Sequence, residues 1–426
     1  MNSLRYFPLG EPIIESPHAI ASSLPTLEDV CGYEECDERV LSAVKVGYPR
    51  FVLHPYVRRL THLFLDREGL TSRFGILVAS SEAARDLLKY AGPGVMTVEV
   101  EKGLYLVHCD AADSERVNKM GGYLQHVGCG ISSRQAEAWL LKIGRLFKPY
   151  VETFFDGDAQ VEVTRRLAEL YGCSAEDAWV CASGMNAFYT GFRAVQAVQQ
   201  NRGRTCWMQL GWLYLDSGCV LETFLEDDET LDYCYDVADT DAVIEKLSSL
   251  GDRLAGVVVE CPTNPLVQIC DLERIAEAVR AGGGLLIVDP TVASVYNMDV
   301  LPYADVLVHQ HAGLGACGID HHHLGAVLAC PVDEGPQVGI GAEHVARPQD
   351  DQPRMLQAFR VHRRGGTQRH DVGGGGPGVA KSAFRNRGAE FVEERIARPG
   401  PVEHAGITHV GIGKDGLRAI LVNDRS

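Results

Sequence analysis

The chain has 426 residues, 46% of them hydrophobic, enough for two or three ordinary domains with a substantial core. Its 57 acidic residues outweigh 40 basic ones, and the net charge of -17 repels phosphate backbones and argues against a nucleic-acid partner. No stretch approaches the about 20 uninterrupted apolar residues of a membrane span. The start, Met1-Asn2-Ser3-Leu4-Arg5, lacks a charged-then-apolar secretory signal, so a soluble cytoplasmic protein with no membrane partner is the expectation. The 13 cysteines form no CxxC pair and read as reduced thiols. Cys129, Cys173, Cys181, Cys261 and Cys270 lie in or beside apolar segments as core filler, and none is assigned a chemical role.

In chain order, residues 1–125 read as an N-terminal α/β extension. Arg73–Ala79 and Gly103–His108 are short apolar runs that predict buried strands. Ser81–Leu88 predicts a helix whose first turn carries the acid favoured by the helix dipole. From 126 to 330 the order becomes strand, helix, strand, which predicts a mainly parallel sheet covered by helices. Asp177–Phe192 reads as a short strand, a small-residue turn and a helix. Ser183, Gly184 and Met185 at that helix start would gather free N–H groups and the positive dipole end, a seat for an anion, unless Ser183 is only a cap.

Leu254–Val259 is too short and β-branched for a helix and predicts a buried parallel strand. Asp271 can N-cap a helix with Leu272, Ile275, Ala276 and Val279 at helical spacing, and Leu285–Val288 predicts the next strand. The crossover places Asp289 at the carboxyl end of its strand, the edge where open α/β sheets bind ligands. A carboxylate there can keep a pyridine nitrogen protonated, or it can simply open the turn at Pro290. Asn264, between Pro262 and Pro265, can meet a ring hydroxyl or make a plain Asx-turn.

From about residue 309 the texture changes. Every Tyr and Trp lies before this point, while ten of the 15 histidines lie at or after it, with Gly373–Gly376 and many Arg and Pro. Residues 331–426 therefore read as an atypical Gly/Arg/His-rich tail, disordered or frame-shifted. Consecutive histidines such as His321, His322 and His323 cannot all converge on one tetrahedral ion, so no metal ligand is assigned.

Ser183-Gly184-Met185, Glu260-Cys261-Pro262-Thr263-Asn264-Pro265, Val288-Asp289-Pro290-Thr291 and Ala304-Asp305 through Val308-His309, in that order, are similar to the cystathionine γ-synthase family of Cys/Met metabolism enzymes. Pro17-His18-Ala19-Ile20, Ser23-Leu24-Pro25-Thr26, Gly47-Tyr48-Pro49-Arg50-Phe51 and Gly130-Ile131-Ser132-Ser133-Arg134 resemble its longer, fungal-type branch, so the resemblance covers residues 8–308. It implies a fold type I transferase or lyase using pyridoxal 5'-phosphate (PLP), acting on a small amino-acid substrate and assembled as a homo-oligomer. The implied reaction is γ-replacement or elimination on an activated homoserine ester, in transsulfuration and methionine biosynthesis. Gly184 and Met185 would cradle the cofactor phosphate beside Ser183, Asp289 would pair with the pyridine nitrogen, and Asn264 would lie near the ring oxygen. Trp212 or Tyr214 would stack on the ring, although the family's usual tyrosine aligns nearer Leu210.

Two departures stand out. The family's Tyr-x-Arg is Tyr150-Val151-Glu152 here, and its His-Ser-x-Thr-Lys-Tyr reads His309-Gln310-His311-Ala312-Gly313-Leu314. The lysine to which the family joins its cofactor is thus Gly313, and the catalytic residue is unknown. Activity is expected to be impaired. A non-catalytic pseudoenzyme or oligomerisation protein on the same scaffold is the alternative, and a reading frame altered from about His309 would explain the same tail.

Overall fold

The structure, a computed structural model, describes residues 7–47, 52–152, 155–312 and 323–329. Tyr48-Pro49-Arg50, Gly313, His321, His322 and the tail from 331 lie outside the described residues. The chain divides into two compact units, the first running to Gly157 and the second starting at Asp158.

The first unit runs α1 (Leu27–Glu34), α2 (Glu38–Ala43), α3 (Pro55–Arg67), β1 (Arg73–Val78), α4 (Ser81–Ala91), β2 (Met96–Glu101), β3 (Leu104–Asp110), α5 (Ser114–Val127) and α6 (Ser133–Lys142). The strands form an antiparallel sheet in the order β1-β3-β2, with Arg73 opposite Asp110 and Val78 opposite Tyr105. Leu104 and Leu106 pack with Leu60 and Phe64 of α3 and Ala136 and Leu140 of α6. The alternate residues of β3, Val107 and Cys109, are also buried, and α4 and α5 lie against that strand. The α4 helix begins as its sequence predicts, with Ser80 Oγ accepting from Ala83 N at 3.1 Å and Glu82 in the first turn.

Two of the front motifs and the Tyr150-Val151-Glu152 segment converge in this unit. His18 Nδ1 lies 3.0 Å from Ser133 Oγ, and its Nε2 lies 3.4 Å from a Glu137 carboxylate oxygen. Arg134 makes a two-pronged pair with Glu152, and Glu137 accepts from Tyr150 N at 2.9 Å. The segment that aligns with Tyr-x-Arg is therefore used inside its own unit. His54 Nδ1 accepts from Tyr56 N at 3.2 Å while Nε2 donates to Pro17 O at 2.7 Å, which fixes the neutral Nε2–H tautomer.

Burial above all pushes the His54 imidazole down to about 4, against the Pro17 carbonyl, which favours the charged form. Its folded value lies below the unfolded one, so its contribution to stability is full above about pH 6.5 and drains away as the pH falls toward 4. Urea unfolding of wild type and His54→Gln at pH 7.5 and 4.5 checks this. The wild type should lose about 2 kcal/mol more than the variant over that interval.

The second unit runs α7 (Ala159–Tyr171), β4 (Ala178–Cys181), α8 (Gly184–Gln200), β5 (Cys206–Leu210), α9 (Leu215–Thr223), β6 (Thr230–Cys234), α10 (Thr240–Leu250), β7 (Leu254–Glu260), α11 (Leu272–Ala281), β8 (Leu285–Asp289), β9 (Val306–Ala312) and β10 (His323–Ala329). They give one sheet in the order β4-β10-β9-β8-β7-β5-β6. β6, β5, β7, β8 and β9 are parallel, while β10 runs antiparallel to both β9 and β4. β4 must then point the same way as the parallel set, so six strands present their carboxyl ends at one edge. The expected fold class, α/β with a mainly parallel sheet and helices, is the one observed.

Every position of β7 is buried, and since successive side chains face opposite ways, both faces of the sheet are covered there. α11 begins where expected, with the Asp271 carboxylate accepting from Arg274 N at 3.1 Å. α8 is buried along most of its length, and its polar side chains find partners: Gln199 Nε2 donates to Ala255 O at 2.6 Å and Gly283 O at 3.2 Å. No helix among the described residues is long and apolar enough to cross a membrane.

Candidate cofactor site

The carboxyl edge of the sheet gathers two acids. Glu260 ends β7 and Asp289 ends β8, and the parallel register sets them side by side, with Cys261 N donating to Asp289 O at 3.0 Å. Only an edge of Asp289 meets solvent; the protein around it raises its acid to about 6, despite hydrogen bonds from Thr291 that favour the carboxylate. Burial first, and then the Asp289 charge, push Glu260 well above the carboxylate range, against backbone N–H donors from Tyr214 and Asn264. Of the two coupled acids, Glu260 is pushed further toward its protonated form than Asp289.

From Asp289 a chain of contacts leads to α8. Thr291 N donates to Asp289 Oδ1 at 2.8 Å, and Gln310 N of β9 donates to Thr291 Oγ1 at 3.0 Å. The Gln310 side chain lies against Gly184, where a Cβ would come within 2.8 Å of Gln310 Oε1 and 3.0 Å of Gln310 Cβ. Glycine at 184 lets β9 close on the helix start. Ser183 is the N-cap, its Oγ accepting from Asn186 N at 3.1 Å. Met185 is buried, with Ser217 Oγ 4.0 Å from its sulfur. Ser183 does cap the helix, and Asp289 does hold the turn that follows it.

The structure therefore brings Ser183, Gly184 and Asp289 together through Thr291 and Gln310. It ties Tyr214 and Asn264 to the same wall through Glu260, which binds the backbone N–H of each. Trp212 instead packs on Tyr235 at 5.6 Å between ring centroids, and Tyr235 stacks on Tyr233 of β6 at 5.9 Å. Behind Asp289, the buried His309 meets the Tyr171 hydroxyl through Nδ1, and burial and then the Asp289 charge hold that phenol up. No group of three or more metal-ligating side chains is found among the described residues.

Glu260 is the organiser that reading by motif passed over. The signal available was a charged residue ending an otherwise apolar strand. Its raised acid stabilises the fold fully below the unfolded value and less as the pH rises through the folded one. Glu260→Gln keeps an oxygen for both N–H donors and removes the charge. Thermal unfolding should find the variant more stable than wild type at pH 8, with the gap closing toward pH 5.

A strand-end carboxylate and a helix start at one sheet edge are compatible with a phosphorylated pyridine. Residues 158–312 hold one lysine, Lys246, which donates to Tyr233 O at 2.8 Å on the flank of β6.

A sequence profile described as "Cys/Met metabolism PLP-dependent enzyme" matches residues 157–312, the second unit as far as Ala312. Over these residues the chain is similar to that PLP-dependent family. An L-2-amino-4-chloropent-4-enoate dechlorinase/desaturase of Streptantibioticus cattleyicolor is 32% identical over 299 residues, 70% of this chain and 59% of that protein. A cystathionine gamma-synthase of Neurospora crassa is 23% identical, covering 71% of this chain and 68% of its own. The chain thus spans about three fifths of the first of these relatives. Among solved structures, a methionine gamma lyase from Micromonospora echinospora matches 43% of this chain and 47% of its own at 22% identity and a TM-score of 0.34, a likeness too slight to carry an argument.

Proposed function

We propose that the second unit binds PLP and belongs to an enzyme of cystathionine γ-synthase type. Asp289 pairs with the ring nitrogen, the backbone amides of Gly184 and Met185 behind the Ser183 cap receive the phosphate, and Asn264 lies on the side of the ring oxygen. Trp212, engaged with Tyr235, is the weaker candidate for the ring stack and Tyr214 the stronger, because its backbone is anchored to Glu260. The observation that carries this reading is the Asp289–Thr291–Gln310–Gly184 chain of contacts, which joins a strand-end carboxylate to a helix start at one sheet edge. When bound, PLP supplies an electron sink for charge developing on an amino acid's carbons. Asp289 keeps the ring nitrogen protonated, and Glu260, whose burial favours its neutral form, holds the two loops through their backbone N–H groups.

The substrate class is a small L-amino acid with a leaving group on its γ-carbon, for replacement or elimination there. A homoserine ester has that group, and the chlorine in the name of the Streptantibioticus relative stands on the same carbon. Turnover in this chain is impaired, because the family's lysine position is Gly313 and the proton shuttle it provides is lost. Equilibrium dialysis against PLP tests the reading: one saturable site per chain is expected, and absence of binding overturns it. With PLP bound, O-acylhomoserine should give far slower acid release than a lysine-bearing relative; parity would overturn the impairment.

A further inference from the structure

Gln310 lies in β9 with its backbone pinned on both sides: Gln310 N donates to Thr291 Oγ1 at 3.0 Å, and the residue pairs with Gly325 of β10. Successive strand residues face opposite ways. His309 turns to Tyr171 of α7, so Gln310 turns to the other face, where α8 packs on β9. A Cβ on Gly184 would come within 2.8 Å of Gln310 Oε1, 3.0 Å of its Cβ and 3.1 Å of its Cδ. The length of the side chain, not only its tip, therefore fills the space beside Gly184. Ser183 Oγ takes the N–H of Asn186, and the cap leaves those of Gly184 and Met185 to whatever else reaches the helix start. That end of α8, a helix of 17 residues, carries the positive end of the dipole and favours an electron-rich atom. Gln310 Oε1, a carbonyl oxygen, is such an atom.

We propose that the Gln310 side chain is a built-in occupant of the phosphate seat and sets the specificity there, weakening the preference for a phosphorylated pyridine over the same ring without phosphate. For the ring this rests on the cofactor reading above; for the anion it does not. A phosphate received by the Gly184 and Met185 amides needs the space beside Gly184 that Oε1 and Cδ hold, so it must turn the side chain out. The backbone has no need to follow, because Thr291 holds Gln310 N. Gln310 is only half-buried, and turning out is a change of rotamer. What an anion gains at the helix start is thus offset by the contact that the amide gives up. Asp289 and Asn264 are untouched by the exchange, so a ring without phosphate meets no such cost. Gln310→Glu would put a carboxylate in the same space and repel phosphate outright.

Equilibrium dialysis of the full chain against PLP and against pyridoxal reads this discrimination. Gln310→Ala should raise the ratio of PLP to pyridoxal affinity about fivefold, the worth of one neutral polar contact no longer displaced. Gln310→Asn, one methylene shorter, should move the ratio the same way, and Gln310→Glu should lower it. An unchanged ratio in Gln310→Ala overturns the proposal, because the side chain then competes with nothing. A lowered ratio overturns it too, because the side chain is then itself a phosphate donor. Inorganic phosphate separates this inference from the cofactor reading, since it needs no ring wall. Followed by hydrogen exchange over residues 184–187, it should protect the α8 start of Gln310→Ala at lower concentration than that of wild type. That result with neither ring ligand bound would remove the cofactor reading and leave this one standing; equal protection of the two proteins would overturn this one.

Discussion

Asp289→Asn should weaken PLP binding about 10- to 100-fold, the range for removing a charge-assisted hydrogen bond of about 1.5–3 kcal/mol. The asparagine oxygen can still accept from Thr291 N, so the turn and the contact to β9 survive. The fold should not suffer either. Asp289 is a raised acid whose stabilising contribution is full below the unfolded value and falls as the pH rises through about 6, so the neutral variant should be no less stable at pH 8. Two readouts separate a cofactor ligand from a structural turn. Wild-type affinity should fall as the pH drops through about 6 while that of the variant does not, and thermal unfolding of the free proteins should rank Asp289→Asn at or above wild type. Equal PLP affinities for the two proteins would mean that Asp289 serves only the turn.

Trp207→Ala should cost about 3–5 kcal/mol, the range for deleting a fully buried large aromatic side chain. Trp207 has no exposed surface and stands edge-on to Phe192 of α8 at 4.7 Å. A Cβ built on Gly256 would come within 2.6 Å of its ring, so the interior strand β7 carries a glycine there to make room. Its indole N–H also donates to the buried Glu229 at 3.2 Å, and alanine would leave that acceptor short of a donor. Urea unfolding followed by circular dichroism reads the cost. A loss under about 1 kcal/mol would show that the α8–β5–β7 core relaxes into the space.

The β7–α11–β8 unit was legible because each signal in it is local. Apolar β-branched runs of strand length flank a helix with an Asp cap and an amphipathic stripe, and the strand-end position of Asp289 follows from that order alone. The start of α8 was legible for the same reason. What could not be read is whatever depends on contacts between distant segments. Tyr171 meets His309 across 138 positions, a pairing without a sequence period. Gln310 closes on Gly184 only because β9 and β4 share a sheet with β10 between them. Trp212 is drawn to Tyr235 by the neighbouring edge strand β6, and no local pattern says so. The front motifs were visible as words, but their meeting at His18 depends on α3 and α6 packing on one sheet.

The central claim is that Asp289 and the α8 start hold PLP with no lysine at this wall. Its most direct test is intact-mass analysis of the PLP-loaded full chain, treated with borohydride and then denatured. The account predicts one PLP per chain before denaturation and an unchanged protein mass afterwards. A chain heavier by one pyridoxyl phosphate group, fixed on a single lysine, would contradict it.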